Sequence, residues 1–298
     1  SRADTTHRLD TPMSIAQGLS SAQMLVSEPS PHVLHVQLSR KPVNAFTTEF
    51  WKEYGDLFDR ITREARDVRA VVLSSAFPKL FTAGIDVVEL SASLENTDFP
   101  DPARRALSSL HHVHEFQHAI GAPDRCPVPV IAAVHGLVVG LGIDIISACD
   151  IRYGAENSRF TIKEVDVGLA ADIGTLSYLP KITANHSLAK ELAYTSRFFT
   201  ASDALRLGLL STVVPGGKDE VVKAALELAA EIASKSPLAV SGTKRILNHA
   251  RDHSIEENLE YTAIWNSAAL QTKDIPESLL AVKEKRQAEY ASLMKPKL

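Results

Sequence analysis

A chain of 298 residues, 45% apolar and 23% charged, with a net charge of -4, has the composition of a globular protein with a sizeable core. No Lys/Arg-rich block runs along it, which sets nucleic acid aside as the main partner. Two cysteines, Cys126 and Cys149, fit no metal spacing and are too few for a disulfide scaffold, so both read as buried free thiols of a reducing compartment.

The N-terminal "SRADTTHRLDTPMS" is polar and lacks the apolar centre of a secretory signal, so residues 1–28 read as a polar extension. "HVLHVQLSR" (32–40) alternates like a strand, and "NAFTTEFWKEYGDLFDRITREA" carries apolar residues at helical spacing. "VRAVVLSS" (68–75) is a buried strand. "FTAGIDVVEL" follows as an aromatic, a small-residue turn and a helix start. Residues 91–105, rich in Ser, Asp and Pro, read as a mobile loop, and "ARRALSSLHHVHEFQHAIGA" returns to helix.

"VPVIAAVHGLVVGLGIDIISAC" (128–149) has the length of a bilayer span. It also holds His135, Asp144 and the glycines 136, 140 and 142, and an Asp at the bilayer centre costs roughly 2.5–3.5 kcal/mol. It reads instead as a buried strand, a glycine turn and a buried helix, with no membrane span. "IRYGAE" and "RFTIKE" are two more short strands. This order of strands and helices predicts an α/β fold with crossover connections.

Beyond residue 200 the chain reads as helical. Thr200 caps "ASDALRLG" with Asp203 three residues on and Gly208 as the stop. "KDEVVKAALELAAEIASKS" is a long amphipathic helix. Ser236 precedes a helix with Pro at its first position, Ser254 begins another with a capping box, and a final charged helix covers 275–294. The expected organisation is one α/β core over 29–200, with a helical region over 201–298 packed on it or on a neighbouring subunit. The last three residues, Pro296-Lys297-Leu298, differ by one from the peroxisomal Ser-Lys-Leu address.

Two segments share a design in which a buried strand feeds a small-residue turn that opens a helix: "VVLSS…FTAGID" and "VIAAVHGLVVGLGID". Helix N-termini carry unpaired N–H groups and partial positive charge, so two such turns face to face make an oxyanion hole. Ordinary βα turns would show the same glycines. Neither segment has dinucleotide or P-loop spacing.

The segment "KEVDVGLAADIGTL" (163–176) sets Glu164, Asp166 and Asp172 among small and apolar residues. Apolar segments become buried, and buried carboxylates are costly unless paired or protonated. Each acid has an ordinary explanation. Asp144 suits a helix dipole, Glu164 a salt bridge or cap, Asp166 a turn, and Asp172 an N-cap. Their clustering beside a candidate oxyanion hole suits general acid/base work. Asp150 and Arg152 read as local pairing or capping, and His135 as a hydrogen-bonded core residue. The run "HHVHEFQH" (111–118) reads as solvated histidines, so no metal site is expected.

On these residues the sequence resembles the enoyl-CoA hydratase/isomerase (crotonase) superfamily, from about residue 30 to 275. "FTAGIDVVEL" is similar to its first oxyanion segment, "PVIAAVHGLVVGLGIDIISACDIRY" to its second, and "FTIKEVDVGLAADIGTLSYLPKI" to its catalytic loop and following helix. The resemblance implies a spiral of ββα units with a helical C-terminal trimerisation region, and a homotrimer or homohexamer. It implies an acyl-CoA thioester substrate and no cofactor beyond it. The thioester oxygen would sit between the N–H groups of Ile85 and Leu141, with Ala83, Gly84, Asp86 and Val87 completing the substrate contacts. Leu141 stands where the family usually has Gly.

Hydratases of the family carry a Glu pair at the positions of Asp144 and Glu164. The set Asp144, Glu164 and Asp172 is instead similar to that of the family's 3,5-dienoyl-CoA to 2,4-dienoyl-CoA isomerases, enzymes of fatty-acid β-oxidation. This implies peroxisomal or mitochondrial location, the peroxisome being favoured by Pro-Lys-Leu and its import receptor. The other readings are an enoyl-CoA hydratase or single-double-bond isomerase on the same fold, and a non-catalytic acyl-CoA-binding subunit.

Overall fold

In the computed structural model, which describes residues 15–65, 67–95 and 98–294, a short helix α1 (Ile15–Leu19) leads into the antiparallel strands β1 (Met24–Ser30) and β2 (Val33–Leu38). Helix α2 (Thr48–Glu64) starts where the Thr47 side chain accepts from the Phe50 N–H. Its Phe50, Tyr54, Leu57, Phe58 and Ile61 recur every three or four residues and are buried together.

The chain then winds in repeated turns. The first is β3 (Ala70–Ser75), β4 (Leu80–Thr82) and α3 (Val87–Glu95). Helices α4 (Pro102–Ile120) and α5 (Ala122–Arg125) lead to the second, β5 (Val130–Val134), β6 (Leu137–Val139) and α6 (Leu141–Ser147). The third is β7 (Ile151–Ala155), β8 (Arg159–Thr161) and a 3-10 turn over Glu164–Val167. Then come α7 (Thr175–Ile182), α8 (His186–Thr195), β9 (Phe199–Thr200), α9 (Ala201–Leu207), β10 (Thr212–Val214) and α10 (Lys218–Ala233). The chain closes with α11 (Pro237–Ala250), α12 (Ile255–Ala269) and α13 (Asp274–Glu284).

Each turn gives its first strand to a six-stranded sheet, order β1-β2-β3-β5-β7-β10, and its second to a four-stranded sheet, order β4-β6-β8-β9. From β2 to β10 the large-sheet neighbours are parallel, as are β4, β6 and β8. Strands β3 and β5 are buried at every position because both faces of the large sheet are covered. Val71, Leu73 and Val130 point to the face packed with α2. Ala70, Val72 and Ile131 point to the face covered by Val221, Ala225 and Ala229 of α10.

Several boundaries differ from the sequence expectation. Strand β1 runs across the residue-28 boundary and pairs with β2, so part of the expected extension is sheet. Strand β10 and helix α10 lie beyond residue 200 yet complete the large sheet and its second core. The loop expected over 91–105 is helical at both ends, α3 reaching Glu95 and α4 starting at Pro102, with the Asp101 carboxylate accepting from Arg104 N–H. The last helix stops at Glu284, where Lys285 turns left-handed (φ 54°), rather than running to 294. Strands β4, β6 and β9 are two or three residues long, too short to show a period. The tripeptide Pro296-Lys297-Leu298 lies outside the described residues.

The caps at Thr200, Ser236 and Ser254 are as the sequence predicts, the first and last as full capping boxes. Both cysteines are buried free thiols. Among the described residues no helix is long and apolar enough to cross a membrane.

Candidate active site

The first small-residue turn leaves β4 through Gly84, whose φ of 92° favours glycine. Phe46 N–H donates to the Gly84 carbonyl (2.8 Å), and Asp86 N–H donates to the Phe46 carbonyl (2.9 Å). This one-residue parallel bridge turns the N–H of Ile85 away from Phe46, and among the described residues it meets no acceptor. The turn is braced from behind. Thr82 Oγ1 donates to the Asn44 carbonyl (2.6 Å) and accepts from Gly84 N–H (3.0 Å), while Asn44 Nδ2 reaches the Phe81 carbonyl and Ser75 Oγ, both at 2.9 Å.

The second turn leaves β6 through Gly140 (φ 49°) and opens α6 at Leu141. Gly140 N–H donates back to the Thr161 carbonyl (2.9 Å), while the Leu141 N–H, at the first position of the helix, has no acceptor among the described residues. The two turns touch. A Cβ placed on Gly84 would lie 2.8 Å from the Val139 carbonyl oxygen and 3.7 Å from the Leu141 nitrogen. The Leu141 side chain is 4% exposed and joins the apolar core.

Three carboxyls stand next to these turns. Asp144, within the first turn of α6, is 1% exposed, and its Oδ1 accepts from Thr175 N–H at 2.6 Å. Burial pushes its carboxyl up to about 7, against the pull of the Thr175 hydrogen bond and with a further push from Glu164. Helix α7 begins after Gly174, which has no side chain to cap it, and the Asp144 carboxyl arriving from α6 takes that place. Glu164 opens the 3-10 turn. A Cβ on Gly140 would lie 3.4 Å from its Oε1, and its Oε2 is buried with no partner among the described residues. Its carboxyl is raised by burial, with a smaller contribution from the charge of Asp172. Asp172 itself is exposed, and its carbonyl accepts from Gln117 Nε2 at 2.6 Å.

The acid-bearing segment is therefore not buried as a whole. Residues 165–170 are exposed, Val167 at 55%, because they form the outer surface of a loop rather than an element with an inward face. Only Glu164 and Asp144 are substantially desolvated. Asp166 ion-pairs with Lys163 on the turn. Asp172 is not an N-cap.

Of the other expected contacts, Asp86 accepts from the N–H groups of Val88 and Glu89 and ion-pairs with Arg40 (3.4 Å), so its carboxylate serves α3. Ala83 and Val87 are exposed on the same turn. His135 is fully buried, with Nε2 against the Phe77 carbonyl (2.7 Å). Asp150 accepts from Val130 N–H and from Lys244 Nζ (2.7 Å), and Arg152 donates to the carbonyls of Cys149 and Leu209 (both 2.6 Å), so they cap neighbours rather than each other. The four histidines of 111–118 are exposed, and no cluster able to hold a metal ion occurs among the described residues.

Asn44, Thr82, Thr175 and Gln117 all shape the site without having stood out in the sequence. Each lay in a stretch that drew notice, but there the glycines, acids, apolar spacing or histidines took the attention.

A family model described as "Enoyl-CoA hydratase/isomerase" matches residues 28–293. The chain belongs to the enoyl-CoA hydratase/isomerase family. The chain is similar to the mitochondrial Delta(3,5)-Delta(2,4)-dienoyl-CoA isomerase of Homo sapiens, 46% identical over 93% of this chain and 84% of that protein. It is also similar to the peroxisomal Delta(3,5)-Delta(2,4)-dienoyl-CoA isomerase of Arabidopsis thaliana, 40% identical over 88% of this chain and 93% of that protein. Among solved structures of the family, the enoyl-CoA hydratase from Bacillus anthracis superposes with a TM-score of 0.79 at 29% identity, covering 90% of this chain and 98% of that one. A crystal structure from Streptomyces coelicolor gives a TM-score of 0.81 at 28% identity, covering 97% of this chain and 99% of that one. The α/β crotonase fold is shared with both.

Proposed function

We propose that the protein isomerises 3,5-dienoyl-CoA to 2,4-dienoyl-CoA. The observation that carries this reading is the second acid, Asp172, on the loop that Glu164 opens; burial chiefly raises the Glu164 carboxyl and the Asp172 charge adds to it. The dienoyl-CoA isomerases named above, at 40–46% identity, support it. The N–H groups of Ile85 and Leu141 receive the thioester oxygen. Glu164, set against the Gly140 turn, is then on the carbonyl side of the substrate and takes the proton from the α-carbon. The electrons move into a dienolate whose charge spreads from the oxygen to the ε-carbon. Asp172 delivers a proton to the ε-carbon, leaving double bonds at C2 and C4. Asp172 enters the step protonated; one proton leaves the substrate and one enters, and before the next turnover Glu164 gives its proton to solvent and Asp172 regains one. A base raised towards the working pH is the stronger acceptor in such a step.

Asp144 acts by holding α7. Its carboxyl is occupied by Thr175 N–H, which supports a positioning role over that of the partner acid of a hydratase pair. A diene absorbance assay set beside hydration of 2-enoyl-CoA tests the reading: fast diene isomerisation with little 3-hydroxyacyl-CoA is expected, and rapid hydration without diene turnover would favour the hydratase.

The assembly proposed is a homotrimer or homohexamer. Helix α12 has no buried residue and exposes Ile255 (82%), Leu259 and Ile264, an apolar surface that a second copy would cover. Light scattering of the purified protein measures the state. For compartment, the peroxisome is the first reading and the mitochondrion the second; the relatives named above divide between these two. Imaging fusions with and without residues 296–298 decides.

A further inference from the structure

We propose that Gln117 is a positioning residue for this reaction, its side-chain amide holding residue 172 by the carbonyl and so setting where the Asp172 carboxylate stands relative to Glu164. The proposal rests on the reading of Asp172 as the second proton-transfer acid.

Asp172 lies in an irregular stretch between the 3-10 turn and α7. Its carboxylate is exposed and makes no hydrogen bond or ion pair with any described residue, so no side-chain partner locates it. Its place follows from the backbone alone. That backbone is tied at two points. Thr175 N–H is held by Asp144 (2.6 Å), which fixes the helix start three residues on. The carbonyl of residue 172 accepts from Gln117 Nε2 (2.6 Å), which fixes the acid-bearing residue itself.

The anchor is rigid at its other end. Gln117 sits in the last turn of α4, directly after Phe116, which is 4% exposed and stacks on Trp51 of α2 with ring centroids 4.8 Å apart. Ala119 and Ile120 follow, both buried. A neutral amide on a packed helix thus grips an irregular connection at the acid-bearing residue itself. Misplacing a reacting group by about 1 Å can cost on the order of 100-fold in rate. The Gln117 side chain is exposed, so losing its donor leaves the fold intact.

The test is a double-mutant cycle with Gln117→Met, similar in length but without a donor, and Asp172→Asn. Diene isomerisation is measured for wild type, each single variant and the pair, with enzyme concentration raised for the slow forms. Gln117→Met is expected to lower kcat about 10- to 100-fold with KM and Tm unchanged, and to lower it no further in the Asp172→Asn background. Equal reductions in both backgrounds, or an unchanged kcat in Gln117→Met, overturn the proposal while leaving the proposed reaction standing. Near-normal turnover in Asp172→Asn alone removes the role of Asp172, and the proposal falls with it.

Discussion

The carboxyl of Asp144, on α6, accepts from the backbone N–H of Thr175 at 2.6 Å, so the acid that follows the second glycine turn caps the helix that follows the acid-bearing loop. One contact therefore ties the candidate oxyanion turn to the stretch that carries Asp172. Asp144→Ala removes a cap and leaves a buried N–H unpaired, which costs about 1–3 kcal/mol. Asp144→Asn keeps an acceptor and is expected to lose less. Denaturant unfolding of the two variants measures the difference.

The same residue gives a pH prediction. Its folded-state carboxyl is raised to about 7 by burial, well above the ordinary Asp value near 3.8. The folded form therefore binds the proton more tightly than the unfolded chain. The stability it contributes is complete below about pH 4 and is lost as pH rises towards 7. Glu164, also raised, acts with the same sign. Subtracting the unfolding free energy of Asp144→Asn from that of wild type at each pH should give a difference that falls across this window.

Glu164→Gln and Asp172→Asn are each expected to cut diene isomerisation about 100- to 10,000-fold, the range typical of a lost general acid or base. Acyl-CoA affinity should persist, because neither carboxyl is assigned to hold the ligand. Calorimetric titration alongside the absorbance assay separates the two effects.

Gly84→Ala should disable the turn without unfolding the domain. The added Cβ would lie 2.8 Å from the Val139 carbonyl, at a φ that L side chains rarely adopt, and the Ile85 N–H must shift. Loss of one oxyanion donor raises the barrier by roughly 2.7–4 kcal/mol, or about 100- to 1,000-fold in kcat. The circular dichroism spectrum should stay unchanged.

Away from the site, Lys244 is 7% exposed, with its Nζ on the Asp150 carboxylate (2.7 Å) and the carbonyls of Pro123 (2.8 Å) and Val128 (3.0 Å). Lys244→Ala leaves a carboxylate desolvated without its cation and is expected to destabilise by about 3–5 kcal/mol. Denaturant midpoints measure this, with turnover per folded molecule preserved.

The long elements were legible in the sequence because period and caps are local. Helix α2 shows its apolar spacing, and Thr200, Ser236 and Ser254 announce the helices they cap. The short strands β4, β6 and β9 were not, since two or three residues carry no period, and they exist because they pair, β4 with β6, β6 with β8 and β9 with β8. Strand β1 was missed because "MLVSEPS" has charge and proline, tolerable on a sheet edge. The exposure of residues 165–170 was also hidden, because composition records that a residue is apolar and not whether its segment has an inward face.

By itself the sequence determined the two strand–turn–helix segments, the acids Asp144, Glu164 and Asp172, and the α/β class, all of which depend on residue type and near-neighbour order. The tertiary structure decided what each acid is for. It buried Asp144 against Thr175, set Glu164 beside Gly140 with its other oxygen dry and unpartnered among the described residues, and left Asp172 exposed on a backbone held by Gln117. Those distinctions rest on desolvation and on partners brought from α4 and α7, separated along the chain by dozens of residues, so no local pattern encodes them.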